Sequence, residues 1–129
     1  MRLFVDTNIF LDLLLSRERA TEAETLLNAI EAGLHEGVVL DITLVNIDYV
    51  AARQGVDARS FLTLIVQNFR VVGMDNILAS EALAARNRDI EDAMQLVAAR
   101  HEACDLIITN DKGFDAEEMI CRSSTEWTG

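Results

Sequence analysis

The sequence, 129 residues long, predicts an α/β domain with a mostly parallel central sheet. Three observations predict it. Short apolar runs recur along the chain, and each ends at a polar or acidic residue: Arg2–Val5 before Asp6, Val38–Leu40 before Asp41, Arg70–Met74 before Asp75, and Leu106–Thr109 before Asn110. Stretches with helical spacing of apolar residues separate these runs. Half of the residues are hydrophobic but only 5% are aromatic, so a core of Leu, Ile, Val and Ala is expected, without staples.

The elements follow in order. Arg2–Val5 suits a buried first strand, and a helix follows with Ile9, Phe10, Leu13 and Leu14 on one face. A second helix is expected from about Arg19 to Leu34, and Gly37 opens the second strand. Thr43 is expected to cap a helix through Arg53 that Gly55 stops. Asp57 is expected to cap a helix carrying Phe61, Leu62, Ile65 and Phe69, ahead of the third strand. Asp75 caps a helix to about Arg86, and Asp89 caps one to about His101. Leu106–Thr109 is the fourth strand, and Met119–Cys121 could be a short fifth. The chain reads as a single domain, 1–129, with 122–129 a loose tail containing Trp127.

Composition limits the function. The net charge of −11 argues against gripping nucleic acid by bulk electrostatics and favours a basic partner. Lys112 is the only lysine, and the arginines form no block. Cys104 and Cys121 lack zinc-ligand spacing and are expected to be core thiols. His35 and His101 read as helix-end or surface groups, and no Ser–His or Cys–His pairing is suggested. No signal-peptide pattern or membrane-spanning run stands out, so a soluble, cytoplasmic protein is expected.

In open parallel sheets, ligands bind outside the carboxyl ends of the strands. Asp6-Thr7-Asn8 and Thr109-Asn110-Asp111 occupy such ends, and Glu91-Asp92 lies in the first turn of the helix leading into the fourth strand. If these elements meet, carboxylates share a crevice. Each pair about 4.5 Å apart would cost roughly 3–4 kcal/mol at an effective dielectric near 20. Such a cluster takes up protons or cations, and an all-oxygen set suits Mg²⁺ or Mn²⁺. Each acid also has a plain structural role: Asp6 as a helix cap, Asp111 in a turn, Asp92 in a box with Asp89, and Glu91 as a solvated first-turn acid. Asp12, Asp75 and Asp115 read as surface or capping groups.

At these residues the chain resembles the PIN-domain family, in particular its stand-alone VapC-like toxins. The matching pieces are Phe4-Val-Asp-Thr-Asn-Ile-Phe-Leu-Asp12, Thr43-Leu-Val-Asn-Ile-Asp-Tyr-Val50, Ile90-Glu-Asp-Ala-Met-Gln95 and Leu106-Ile-Ile-Thr-Asn-Asp-Lys-Gly-Phe114. The resemblance implies a three-layer α/β/α sandwich with a central, mostly parallel five-stranded sheet. It also implies Mg²⁺- or Mn²⁺-dependent cleavage of single-stranded RNA, and inhibition by a small antitoxin with a basic segment. It identifies Asp6, Asp92 and Asp111 as metal ligands, with Asn8 and Thr109 as supporting polar positions and Glu91 as an accessory. A homodimer is the expected assembly.

One position departs from the family pattern. The family's second acid, usually Glu, matches Asn46 here. Asp48 lies two residues on, about 200° around the helix, and cannot replace it. Asp41, at the strand end, is a further candidate to reach the crevice. Tyr49 and Arg53 share the face bearing Asn46 and could line an RNA groove, or could be an ordinary core-edge Tyr and a surface Arg. Three functions therefore compete: a metal-dependent endoribonuclease of the toxin–antitoxin type with Asn46 in its catalytic set; a catalytically weak RNA- or protein-binding regulatory module; and a receiver-like domain with Asp6 as phospho-acceptor. Asn8 weakens the third, since it stands where a second acid would be needed.

Overall fold

The computed structural model describes residues 1–85, 89–111 and 120–124. Its elements are β1 (Arg2–Val5), α1 (Thr7–Leu14), α2 (Ala20–Glu31), β2 (Glu36–Leu40), α3 (Asp41–Arg53), α4 (Arg59–Asn68), β3 (Phe69–Val72), α5 (Asn76–Leu83), α6 (Ile90–His101), β4 (Leu106–Ile108) and β5 (Ile120–Arg122). The strands lie in the order β3-β2-β1-β4-β5, and every pairing is parallel.

Alternation along the strands divides the core into two layers. Leu3 and Val5, Val39, and Leu106 and Ile108 face one way, onto Ile9, Phe10, Leu26, Ile30, Ile47 and Ile65 of α1 to α4. Phe4, Val38, Leu40 and Ile107 face the other way, onto Leu96, Ala98 and Ala99 of α6. Ala82 of α5 packs in turn on Ala93 and Val97 of α6. Strands buried on both faces need continuous apolar runs, which is why the runs read so plainly in the sequence.

The expected five-stranded, mostly parallel sheet needs correction. Four strands, β3-β2-β1-β4, carry the core, and they are wholly parallel. The place of a fifth holds only three residues, Ile120–Arg122, paired along β4. Met119, the expected start of the last strand, lies outside the described residues, as do Arg86, Asp115 and Trp127. Of the expected loose tail, Ser124 is buried and its backbone N–H donates to Asn110 Oδ1 at 2.9 Å.

Local signals explain most boundaries. Asp75 Oδ1 accepts from the Leu78 N–H at 2.8 Å, and Asp89 Oδ1 accepts from those of Glu91 and Asp92 at 2.9 and 3.3 Å. Gly55, at φ +73°, ends α3: its N–H donates to Ala52 O and that of Val56 to Ala51 O. Ala103 closes α6 in the same way at φ 53°, without a glycine to announce it. Thr43 is not a cap. The helix begins two residues earlier, at Asp41, and the Thr43 hydroxyl is fully buried, 3.0 Å from that of Thr7. Cys104 is buried as expected, and burial pushes its thiol up to about 11.

Gly37 sits where β2 meets β3. A Cβ there would stand 2.5 Å from the Phe69 ring and 3.0 Å from Ile30 Cγ2. Gly37→Ala is therefore expected to destabilise the fold by about 1–3 kcal/mol, read as a lower urea midpoint at unchanged slope.

Among the described residues, no helix is long and apolar enough to cross a membrane.

Candidate functional site

The strand order reverses direction between β1 and β4, the kind of switch point where open sheets bind ligands. Val5 and Ile108 are register partners, so the residues after them leave the sheet side by side. The Asp6 N–H continues the ladder to Ile108 O at 3.0 Å. Its carboxylate does not cap the second or third turn position of α1; it turns into the crevice and is only 4% exposed. Thr109 Oγ1 donates to Asp6 Oδ2 at 2.9 Å and accepts from the Asp111 N–H at 3.0 Å.

The N-terminal part of α6 closes the crevice. Gln95 is fully buried, and its Nε2 donates to Asp6 Oδ1 at 3.1 Å and to Glu91 Oε1 at 3.4 Å. Glu91 and Gln95 are four apart and so share a helix face. Thr7 Oγ1 donates to the same Glu91 oxygen at 3.3 Å, and the Asn46 side chain also hydrogen-bonds to Glu91. Gln95 Oε1 has no hydrogen-bond partner among the described residues. An unpaired buried carbonyl costs about 1–3 kcal/mol, so the two bonds made by Nε2 must outweigh that.

Electrostatics report the crowding. Burial raises the Asp6 carboxyl; bonds from Thr109, Gln95 and the Thr7 backbone offset part of this, and Asp111 adds to it. Burial, then Asp6, raises Glu91. Asp92 is pushed up to about 6 by burial, then by Asp89, Asp6, Asp111 and Glu91. Because the folded chain favours its acid form, Asp92 contributes stability that is complete below the usual 3.8 and is lost as pH rises through about 6. Asp92→Asn is thus expected to raise Tm at pH 7.5 by about 3–5 °C, and to leave it unchanged at pH 3.5. That rise corresponds to only about 1 kcal/mol. Water screens the half-buried carboxylate, and the Asn loses a favourable charge at the helix N-terminus.

A family model described as PIN domain matches residues 2–113. This chain belongs to the PIN-domain family. Its fold is similar to that of a chain in a toxin–antitoxin complex from Klebsiella pneumoniae, with 24% identity, TM-score 0.72, and coverage of 98% of this chain and 99% of that one. VapC20 of Mycobacterium tuberculosis, a sarcin–ricin loop cleaving toxin, is similar at 16% identity and TM-score 0.74, over 92% of this chain and 96% of that one. VapBC2 from Rickettsia felis, bound to a DNA fragment from its promoter, is similar at 13% identity and TM-score 0.70, over 95% and 98%. No curated protein matches this chain.

Within the PIN fold, the expected site residues divide into three groups. Asp6, Thr109 and Glu91 are bonded into one cluster, and Asn46 reaches it through Glu91. Asp92 and Asp111 join it by charge: each raises or is raised by its neighbours across the crevice. Asn8 is exposed on α1, and no described hydrogen bond ties it to the cluster. Asp41 is exposed and accepts from the Ile42 N–H, so it does not supply the missing acid. Tyr49 is 59% exposed and engaged with Arg53: Nη1 donates to the phenol oxygen at 2.9 Å, and Cζ stands 5.6 Å from the ring centroid.

Sequence reasoning gave no role to Gln95, Thr7 or Asn110. Gln95 could have been found: it is a polar residue on the same face as Glu91, amid the apolar positions Ala93, Leu96 and Val97. Asn110 ties the loop after β4 to α1 and α2, since its Nδ2 donates to Asp12 at 3.1 Å and its Oδ1 accepts from Arg19 at 3.0 Å.

A bound Mg²⁺ or Mn²⁺ is what the PIN resemblance leads one to expect. The residues as placed do not fit it. Among the described residues, no group of three or more Asp, Glu, His or Cys is arranged to hold a metal ion. The donor set supplies the reason. Asn46 brings a neutral amide where an acid is expected, one Glu91 oxygen already accepts two hydrogen bonds, and each Asp6 oxygen has given one lone pair to a hydrogen bond. Asp6, Asp92 and Asp111 still sense one another, because Coulomb interaction reaches further than a coordination bond.

Proposed function

We propose that this chain is a single-domain, cytoplasmic PIN module of the toxin–antitoxin type that acts by binding a small basic protein partner and is catalytically weak. The observation that carries this reading is the internal pairing of Asp6, whose two oxygens are taken by Gln95 and Thr109, beside an Asn46 that cannot ligate as an acid. The net charge of −11 supports a basic partner over bare RNA. So does an apolar groove of about 430 Å³ between α1, α2 and α4, rimmed by Glu24 and Glu31. A homodimer fits exposed Val45 and Val66 on α3 and α4, and sedimentation would test it.

A fluorogenic single-stranded RNA assay with Mn²⁺ tests the catalytic half. Wild type and Asp6→Asn are expected to give the same background. Turnover by wild type that Asp6→Asn and Asp111→Asn both lose would reject it.

The second reading is a Mg²⁺- or Mn²⁺-dependent endoribonuclease of single-stranded RNA held by Asp6, Asp92 and Asp111. The elevation of Asp92 to about 6 favours it: burial is the largest cause, but Asp89, Asp6, Asp111 and Glu91 add repulsion that a bound cation would relieve.

A further inference from the structure

Gln95 stands between two carboxylates, and a primary amide has two N–H bonds to give. Its Nε2 uses them on Asp6 Oδ1 at 3.1 Å and Glu91 Oε1 at 3.4 Å. The reverse orientation of the amide would press Oε1 against two carboxylate oxygens, so the neighbours fix which atom faces them. The side chain is fully buried, and among the described residues its Oε1 has no partner. The head group is therefore held by the carboxylates and not by its own full satisfaction. Asp6 lies at the end of β1 and Glu91 in the first turn of α6, so this one amide ties the sheet edge to the helix.

We propose that Gln95 is an internal counter-group, cross-linking Asp6 and Glu91 where a bridging cation would otherwise sit and keeping the crevice closed to divalent metal. The idea rests on the weak-catalysis reading above and goes further, because it gives one side chain a share of the closure beside the missing charge at Asn46. Thr7 and Thr109 help: the Thr109 hydroxyl donates to Asp6, and Thr7 gives its hydroxyl to Glu91 and its backbone N–H to Asp6. Gln95 differs in bonding to both through a single side-chain nitrogen.

The test is Mn²⁺ binding by the full chain, read from the loss of the free-ion electron paramagnetic resonance signal, with Mn²⁺ alone as the probe. Gln95→Met keeps the length and removes the donor. It is expected to bind Mn²⁺ at least about tenfold more tightly than wild type. Gln95→Glu, which puts a third carboxylate in the same place, should gain as much or more. Adding Glu91→Gln to Gln95→Met should return binding to the wild-type level. Equal Mn²⁺ affinity in wild type and both single variants would overturn the proposal. So would a Gln95→Met and a Gln95→Glu that both stay unfolded with Mn²⁺ present, since the amide would then be a packing element. The RNA assay on wild type decides the weak-catalysis reading separately, because it does not depend on how the Gln95 variants bind metal.

Discussion

Asn46→Glu is expected to raise Mn²⁺-dependent cleavage of single-stranded RNA by about 10–100-fold over wild type, the range that ligand-shell changes usually span. Asn46 is half-buried on α3 and hydrogen-bonds to Glu91. The substitution removes that bond and sets a second carboxylate against Glu91. In EDTA the variant should melt below wild type, because the like charges are partly shielded from water. Mn²⁺ should restore the lost stability, with a gain of about 2.7 kcal/mol at 100 times Kd. Thermal melts with and without Mn²⁺, run beside the RNA assay, check both halves. If the variant gains neither cleavage nor Mn²⁺ stabilisation, Asn46 is not what separates this chain from a working metal site.

Phe10→Ala is expected to cost about 3–5 kcal/mol, the largest stability loss among these variants. Phe10 is fully buried on α1, with its ring edge-to-face with Phe69 at 5.2 Å and with Phe61 at 6.4 Å. Removing the ring leaves a cavity between α1, α4 and the start of β3. These elements meet through the rings, so neighbours cannot close the gap without breaking the edge-to-face pairs. Urea denaturation would show a reduced midpoint with little change in slope. A loss below about 1.5 kcal/mol would mean that the site collapses freely. α1 also follows Asp6 directly, so the same packing fixes the angle at which the chain leaves β1.

The sequence made the sheet legible because parallel strands buried on both faces must be continuously apolar. Arg2–Val5 is the case in point, with Leu3, Phe4 and Val5 fully buried. Helix starts were legible where a side chain makes the cap, as at Asp75 and Asp89. They were misread where a polar residue serves the interior instead, as Thr43 does with Thr7. The acids at the strand ends were legible as a cluster, because topology brings β1 beside β4. Their hydrogen-bonding state was not. Spacing shows that Glu91 and Gln95 share a face, but not that the Gln95 amide reaches across to a strand 89 residues away in sequence and meets Asp6.

The state of the acidic crevice is tested most directly by a crystal grown or soaked in Mn²⁺ and examined for anomalous scattering. The account predicts no Mn²⁺ peak at Asp6, with the Gln95 amide still bonded to both Asp6 and Glu91. A peak coordinated by Asp6, Asp92 and Asp111, with Gln95 turned away, would contradict it.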